Sequence, residues 1–378
     1  MVPQPLRIAL MSSQKTWGGG EQFVWSLGRG LAERGHHIAW FADKDSTLSR
    51  KLASVGSHAF HLPSRLPNPR DLIRLRRICK SHAIQLIHAN DPHAINWSGL
   101  SLLGKTSIKR VGVKHTAFPV HSSLLYNHLL DALVCVSQAV RKTCTESGVS
   151  ESKTTVIHGG VEPMTINKHE ARFSICEELG VSLDVPIFSA VGSLNPCKSY
   201  HRIIEAAHHL RWHLCDFRIV VCGEGSERHR LEELIRRYSL QDRVKLIGFQ
   251  NRPERWVAGS DAFVHTSAAE GLSLVVIMAQ MLKTPVISTD SDGLGEVVRS
   301  PYTGEELAAI IQGDDPANLA RLMMESIHKT PKLMERTRAA MNSALERFTE
   351  KQMIDGFERL YLRLTRAYDS SLRDQKAA

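Results

Sequence analysis

The sequence predicts an α/β protein built as two Rossmann-like, doubly wound domains facing a cleft. Three observations lead there. The 378 residues suit about two domains of roughly 100–200 residues each. Short β-branched runs alternate with helical patterns through both halves of the chain, the signature of βαβ units and parallel sheets. Between the halves lies Gly159–Ala171, weakly patterned and containing Gly, Pro and Asn, which reads as a linker. The expected boundaries are 1–165 for an N-terminal domain and 166–346 for a C-terminal domain. Residues 347–378 are expected to form a helix that docks back on the first domain.

In the first half, Leu6–Met11, His37–Phe41, Ile84–His88, Arg110–His115, Leu133–Ser137 and Thr154–His158 read as strands. Glu21–Arg34 places Phe23, Val24, Leu27 and Leu31 at helical spacing and stops at Gly35. In the second half, Ile187–Val191, Arg218–Cys222, Val244–Ile247, Ala262–His265 and Pro285–Thr289 are strand-like. Helical stretches such as Tyr200–Leu210 and Glu227–Tyr238 separate them. From Pro316 onward the pattern is mostly helical. Leu345–Arg366 reads as one helix with Phe348, Met353, Phe357, Leu360, Tyr361 and Leu364 on an apolar face.

Composition narrows the function classes. Hydrophobic residues make up 42%, enough for real cores. No apolar run is long enough to span a bilayer. Met1–Pro5 leads directly into a strand-like run, so no signal peptide is expected. The seven cysteines form no CxxC pair, which suits reduced thiols and a cytoplasmic location. A net charge of +9 points to an anionic partner. No zinc-finger, helix-turn-helix or aromatic–basic signature supports nucleic acid. Arg65, Arg70, Arg74, Arg76, Arg77 and Lys80, interleaved with Leu72, Ile73, Leu75 and Ile78, read as a basic amphipathic helix. It is either a solvated helix face or a peripheral contact, through Arg70–Lys80, with the anionic inner face of a membrane.

Candidate sites cluster where strands end. Gly18-Gly19-Gly20-Glu21 follows the first strand and opens a helix; glycines there permit φ > 0 and close approach of a diphosphate to the helix N-terminus. Gly192-Ser193-Leu194 to Lys198 holds the equivalent place in the second half, with an ammonium suited to a leaving diphosphate. Gly223-Glu224-Gly225-Ser226 is turn chemistry with an N-cap, or part of a nucleotide pocket. Gly248-Phe249 ends the next strand, where a base can lie. His115 closes a strand and can bond a sugar hydroxyl or assist proton transfer, with His88 and His93 similarly placed. Glu270-Gly271-Leu272-Ser273-Leu274 offers a carboxylate for sugar hydroxyls and free N–H groups for phosphate. No HExxH, Cys/His cluster, DxD-type pair or GxSxG appears, so neither a metal nor any other cofactor is expected.

Together these motifs resemble the family 4 retaining glycosyltransferases (glycosyl transferases group 1), and the likeness runs over nearly the whole chain. It rests on Gly18–Glu21, His115-Thr116, Asp131–Ser137, Val156–Glu162, Val191–Lys198, Asp261–Ser267, Glu270–Leu274, Thr284–Ile287 and Gly293–Glu296. The resemblance implies the glycosyltransferase-B fold and a metal-independent hexosyltransferase. Such an enzyme moves a sugar from a nucleotide-diphospho-sugar to a saccharide or lipid-linked acceptor, in cell-envelope polysaccharide or glycolipid synthesis. It implies His115, Glu270 and Lys198 as catalytic residues. Gly19, Gly20, Gly192, Ser193, Lys198, Gly223, Phe249, Glu270, Gly271, Leu272, Ser273, Leu274 and Met278 are implied on the donor side. Met278 stands where the family has a second glutamate for the ribose, and Ser193 where it has an arginine. These departures keep open a second reading, a scaffold or binding protein that retains the fold with a degraded donor site.

Overall fold

The computed structural model describes residues 4–63, 68–102, 107–120, 122–214 and 216–376, with the side chains of the last helix described to Thr365. The chain divides into two units, Met1–Gly160 with Glu350–Ala378, and Val161–Thr349. Both are parallel-sheet α/β units, as the alternating pattern predicts.

Unit 1 is built on β1 (Arg7–Ser12), β2 (His37–Ala42), β3 (Ala59–His61), β4 (Leu86–Ala89), β5 (Lys109–Lys114), β6 (Ala132–Cys135) and β7 (Thr154–Val156). Their spatial order is β3-β2-β1-β4-β5-β6-β7, and every pairing is parallel. Unit 2 contains β8 (Ile187–Val191), β9 (Arg218–Cys222), β10 (Val244–Gly248), β11 (Ala262–His265), β12 (Val286–Ser288) and β13 (Ala309–Ile310), ordered β10-β9-β8-β11-β12-β13 and again all parallel. The strand order reverses direction between β1 and β4 in unit 1 and between β8 and β11 in unit 2. At such switch points two strand-to-helix connections diverge to opposite faces and leave a crevice at the carboxyl ends.

Helices cover both faces, so the central strands are apolar on both sides. Along β8, Ile187 and Val191 enter one buried cluster with Val220, Phe263 and Met278, while Phe188 and Ala190 enter another with Ile219, Val221 and Val264. Sequence reading misses β3 and β13, which have three and two residues and so no measurable period. It also needs correcting at Leu345–Arg366, which is two helices rather than one. Pro331–Arg347 ends at Phe348, whose ring fills the core of unit 2 and whose carbonyl accepts from Val161 N at 2.8 Å. A separate helix, Glu350–Lys376, then returns to unit 1.

That last helix is part of the unit 1 core. Met353, Ile354, Phe357, Leu360 and Tyr361 are buried. Against helix Gly19–Glu33 the approach is close enough that a Cβ on Gly30 would lie 2.1 Å from Ile354 Cδ1. Arg34 pairs with both Asp355 and Glu358 at its edge.

Gly223 and Gly192 fix the junction of two loops in unit 2. A Cβ on Gly223 would stand 1.8 Å from the Gly192 carbonyl oxygen, a rigid backbone atom. Gly223→Ala is expected to lower unfolding stability by about 2–4 kcal/mol. Gly19→Ala, where a Cβ meets nothing within 4 Å, should be neutral or stabilising by up to about 1 kcal/mol. Chemical denaturation midpoints of the two variants check the contrast.

Candidate active site

In unit 2 the site grows from the switch point. After β8 the chain makes a turn at Pro196–Lys198, and Ser199 adopts φ +50° before helix His201–Leu210 begins. This loop is tied on two sides. Gly192 N donates to Cys222 O at 3.0 Å and Leu194 N to Glu224 O at 2.9 Å, joining it to the loop after β9. Thr266 Oγ1 donates to Lys198 O at 2.9 Å and Ala268 N to Cys197 O at 2.9 Å, joining it to the loop after β11. These ties bring Lys198 Nζ against Glu270 Oε1 as a hydrogen-bonded ion pair.

His265, at the end of β11, completes the group. Its Nε2 lies 3.3 Å from Glu270 Oε1 and 3.4 Å from Ser273 Oγ. A third loop joins from β12, where Gly293 N donates to Glu270 O at 3.0 Å. Burial alone would raise the Glu270 pKa, yet the His265 hydrogen bond and the Lys198 ammonium hold it down at about 2. Burial lowers the His265 pKa against the pull of Glu270 and with the help of Lys198. The carboxylate is therefore ionised at neutral pH and the imidazole neutral, able to donate to it. Removing one partner of such a buried pair typically costs about 3–5 kcal/mol, because the other charge is left uncompensated.

Beside this pair, helix Leu274–Met281 starts without a side-chain cap on its first-turn N–H groups. Gly271 and Ser273 are buried there, and Leu272 and Leu274 half-buried. Gly223 sits at the loop junction, and its N–H donates to Gly248 O at 2.8 Å. Phe249, next along, is 52% exposed. Ser193 is exposed, and its Oγ accepts from Asn195 Nδ2 at 2.8 Å. Met278 is only 8% exposed, within the apolar core.

In unit 1 the loop after β1 meets the residues after β4. Ser13 donates to Asp91 through its N–H and its Oγ, both at 2.7 Å. Asn90 Nδ2 donates to Gly20 O at 2.9 Å, and Asn90 Oδ1 lies 3.0 Å from His115 Nε2. His115 follows β5, half-buried, with its ring edge-on to Phe23. Burial depresses its pKa to about 4. His88 is fully buried and bonded through Nδ1 to Tyr361 Oη at 2.6 Å, a packing role. His93 Nε2 lies 3.0 Å from Trp97 Nε1 on its own helix.

The glycine loop differs from expectation. Helix Gly19–Glu33 takes in Gly19 and Gly20 as its first turn, Gly18 is extended at φ −151°, and none of the three has positive φ. Glu21 is buried beneath them, accepting from Ser12 Oγ at 3.3 Å and facing the backbone N–H groups of Gly18 and Glu21 itself. The chain's own carboxyl thus covers part of this helix start. From the sequence, Glu21 and His265 are named only as members of longer motifs, and Asn90 is given no role. A polar residue at the end of an apolar strand, as in Ala262-Phe-Val-His265, was the available signal.

Burial raises the Glu21 pKa from 4.5 to about 7, with nearby Asp91 adding to the shift. The folded state then holds a proton that the unfolded state releases. Stability from this group is greatest below pH 4.5 and is lost as pH rises through about 7, by about 3 kcal/mol in all. Glu21→Gln should remove that slope, as measured by denaturant midpoints between pH 5 and 8.

Two family models cover the two units. Residues 172–343 match Glycosyl transferases group 1, and residues 17–164 match Glycosyltransferase Family 4. The chain is 30% identical over 281 residues to the lipopolysaccharide core biosynthesis glycosyltransferase LpsE of Rhizobium meliloti, covering 73% of this chain and 77% of that protein. It is 25% identical to the UDP-Gal:alpha-D-GlcNAc-diphosphoundecaprenol alpha-1,3-galactosyltransferase of Escherichia coli, over 64% of this chain and 67% of that one. Matches to two other curated relatives span only 26% and 47% of those proteins' lengths. Among solved structures, Anabaena HepE in complex with UDP-glucose superposes with a TM-score of 0.79 at 19% identity, over 98% of this chain and 100% of that one. With both units matched and the LpsE likeness spanning most of each protein, the chain belongs to the group 1, family 4 glycosyltransferases.

Proposed function

We propose that this glycosyltransferase retains anomeric configuration and uses a nucleotide-diphospho-sugar without a metal ion, acting on a lipid-linked or saccharide acceptor in envelope polysaccharide or glycolipid synthesis. One observation carries the reading. An ammonium and a carboxylate, Lys198 and Glu270, are held together at the unit 2 switch point beside an uncapped helix start. On this reading the diphosphate draws Lys198 from Glu270, and the freed carboxylate binds a hydroxyl of the donor sugar. The first-turn amides of helix Leu274–Met281 take up the charge that develops as the nucleoside diphosphate leaves. Gly192, Gly223 and Phe249 border the nucleotide on this reading.

Glu270 makes a poor nucleophile for double displacement, since His265 still holds it and lowers its basicity once Lys198 has turned to the diphosphate. Retention then follows from attack on the face the diphosphate leaves, with a phosphate oxygen taking the acceptor's proton. The UDP-glucose held by HepE and the lipid-diphosphate acceptor of the Escherichia coli relative support the two substrate classes.

Thermal-shift titration with UDP, GDP and ADP should give a clear upward shift with at least one of them. Lys198→Ala should weaken that nucleotide's binding by at least about tenfold, a charged hydrogen bond being worth about 1.5–3 kcal/mol. EDTA should leave transfer unchanged, and proton NMR of the product should show the donor's anomeric configuration. Met278 in the core and uncharged Ser193 favour the scaffold reading instead, and no shift with any nucleotide would establish it.

We further propose that the protein is cytoplasmic and meets the inner leaflet through helix Pro69–Ser81. Arg70, Arg74, Arg76, Arg77 and Lys80 are exposed on it, with Ile73 54% exposed among them. Arg65, grouped with them from the sequence, lies outside the described residues. Among the described residues no helix is long and apolar enough to cross a membrane. Each basic residue near an anionic surface contributes about 1 kcal/mol. Arg74→Glu with Arg77→Glu should therefore abolish sedimentation with anionic vesicles while leaving nucleotide binding intact; equal binding of wild type to neutral vesicles would refute the contact.

A further inference from the structure

Asn90 follows β4 directly, at the switch point of the unit 1 sheet, and is buried. Its amide has one consistent orientation. The Gly20 carbonyl can only accept, so the group 2.9 Å from it is the donor Nδ2. That turns Oδ1, which can only accept, toward His115 Nε2 at 3.0 Å. A ring nitrogen facing an acceptor carries the proton, and in a neutral imidazole the other nitrogen is then a bare lone pair.

The surroundings keep the ring neutral. Burial lowers its pKa to about 4, outweighing the Asn90 backbone carbonyl, which favours the charged form, and Lys114 next to it on the chain adds to the lowering. His88, across the sheet on β4, is itself kept neutral by burial. No carboxylate among the described residues pairs with His115, and Phe23 packs its edge at 4.9 Å between ring centroids. Among the described residues the ring's one side-chain hydrogen bond is made through Nε2, to Asn90 Oδ1.

We propose that Asn90 is a positioning residue that pins the His115 proton on Nε2, so that His115 meets its substrate through Nδ1, as the acceptor of a hydrogen bond from a saccharide hydroxyl. The saccharide rests on the glycosyltransferase reading above; the tautomer does not. It follows that His115 orients a hydroxyl at neutral pH and is not a proton donor. The same clamp fixes the carbonyl of Gly20, so ring and glycine loop are held by one side chain.

The test is nitrogen-15 NMR of the histidine rings in the full chain at about pH 7 without nucleotide, with His115 identified by the signal missing from His115→Gln. Wild type should show the Nε2–H tautomer, and Asn90→Ala a mixture of the two. Asn90→Asp, which keeps an oxygen on the ring but makes it anionic, should raise the ring's titration by at least about one pH unit. Its kcat/KM should then fall by at least about tenfold on the acid side of that titration and recover above it, because an imidazolium cannot accept. An Nδ1–H tautomer in wild type would overturn the proposal whether or not the variants fold, as would an unchanged tautomer in Asn90→Ala. If the tautomer is as stated and no nucleotide sugar is turned over, the functional reading falls and the Asn90 clamp stands.

Discussion

The ion pair between Lys198 and Glu270 is the interaction on which the candidate site depends. Neither charge would tolerate its surroundings alone, since each side chain keeps only about a seventh of its surface in water. Together they satisfy one another, and His265 uses a remaining acceptor position on the carboxylate. The pair can form only because β8 and β11 are neighbours in the sheet although Lys198 and Glu270 are 72 positions apart in the chain, and because Thr266 holds the Lys198 carbonyl in place. A parallel sheet thus converts sequence distance into a side-chain contact. The pair also sets the terms for an incoming anion, which must compete with a buried carboxylate for one ammonium. That competition favours a strongly charged ligand such as a diphosphate over a neutral sugar.

Unit 1 is organised by the opposite device. Where unit 2 holds charges in a pair, burial in unit 1 shifts the Glu21 carboxyl and the His115 ring toward their neutral forms. Glu21 is raised to about 7, His115 is depressed to about 4, and Lys114 is lowered by burial while bonding Thr116 Oγ1 at 2.9 Å. Near neutral pH the His115 ring is therefore an uncharged hydrogen-bonding group and Glu21 is close to half-protonated, a surface suited to hydroxyls more than to phosphates. The contrast follows the chemistry of the proposed reaction, in which the leaving group carries charge and the sugar does not.

The parts of this architecture legible in the sequence are those with local signatures. Ile187–Val191, Arg218–Cys222 and Ala262–His265 are β-branched or apolar runs long enough to show themselves, and the structure returns them with the same limits. Lys198 and Glu270 were visible as polar residues in strand-to-helix loops, although their mutual contact was not. Asn90 lay in plain view within His88-Ala-Asn-Asp-Pro-His93, but its importance comes from Gly20 and His115, 70 and 25 residues away. The glycine triplet misled for a related reason. Three glycines suggest unusual backbone, whereas here the helix simply starts early and Glu21 lies under it. Phe348 broke the expected last helix because its place in the core of unit 2 outranked helical continuity. In each case tertiary contact overruled a sound local inference.

The chain leaves unit 1 at Gly160 and re-enters it at Glu350, so the helix Glu350–Lys376 joins unit 1 from across the whole of unit 2 in sequence. This has consequences for the candidate site, because the returning helix reaches it through aromatic contacts. Phe357 packs edge-on against Phe23, Phe23 packs edge-on against His115, and Tyr361 bonds His88 on the strand that delivers Asn90. Burying a large apolar side chain is worth about 1.5–3 kcal/mol. Met353, Ile354, Phe357, Leu360 and Tyr361 together therefore supply roughly as much as the whole net stability of an ordinary domain, about 5–15 kcal/mol. The order of His115 is thus set by residues more than 230 positions later in the chain. The last helix belongs to the machinery of unit 1 as much as the glycine loop does.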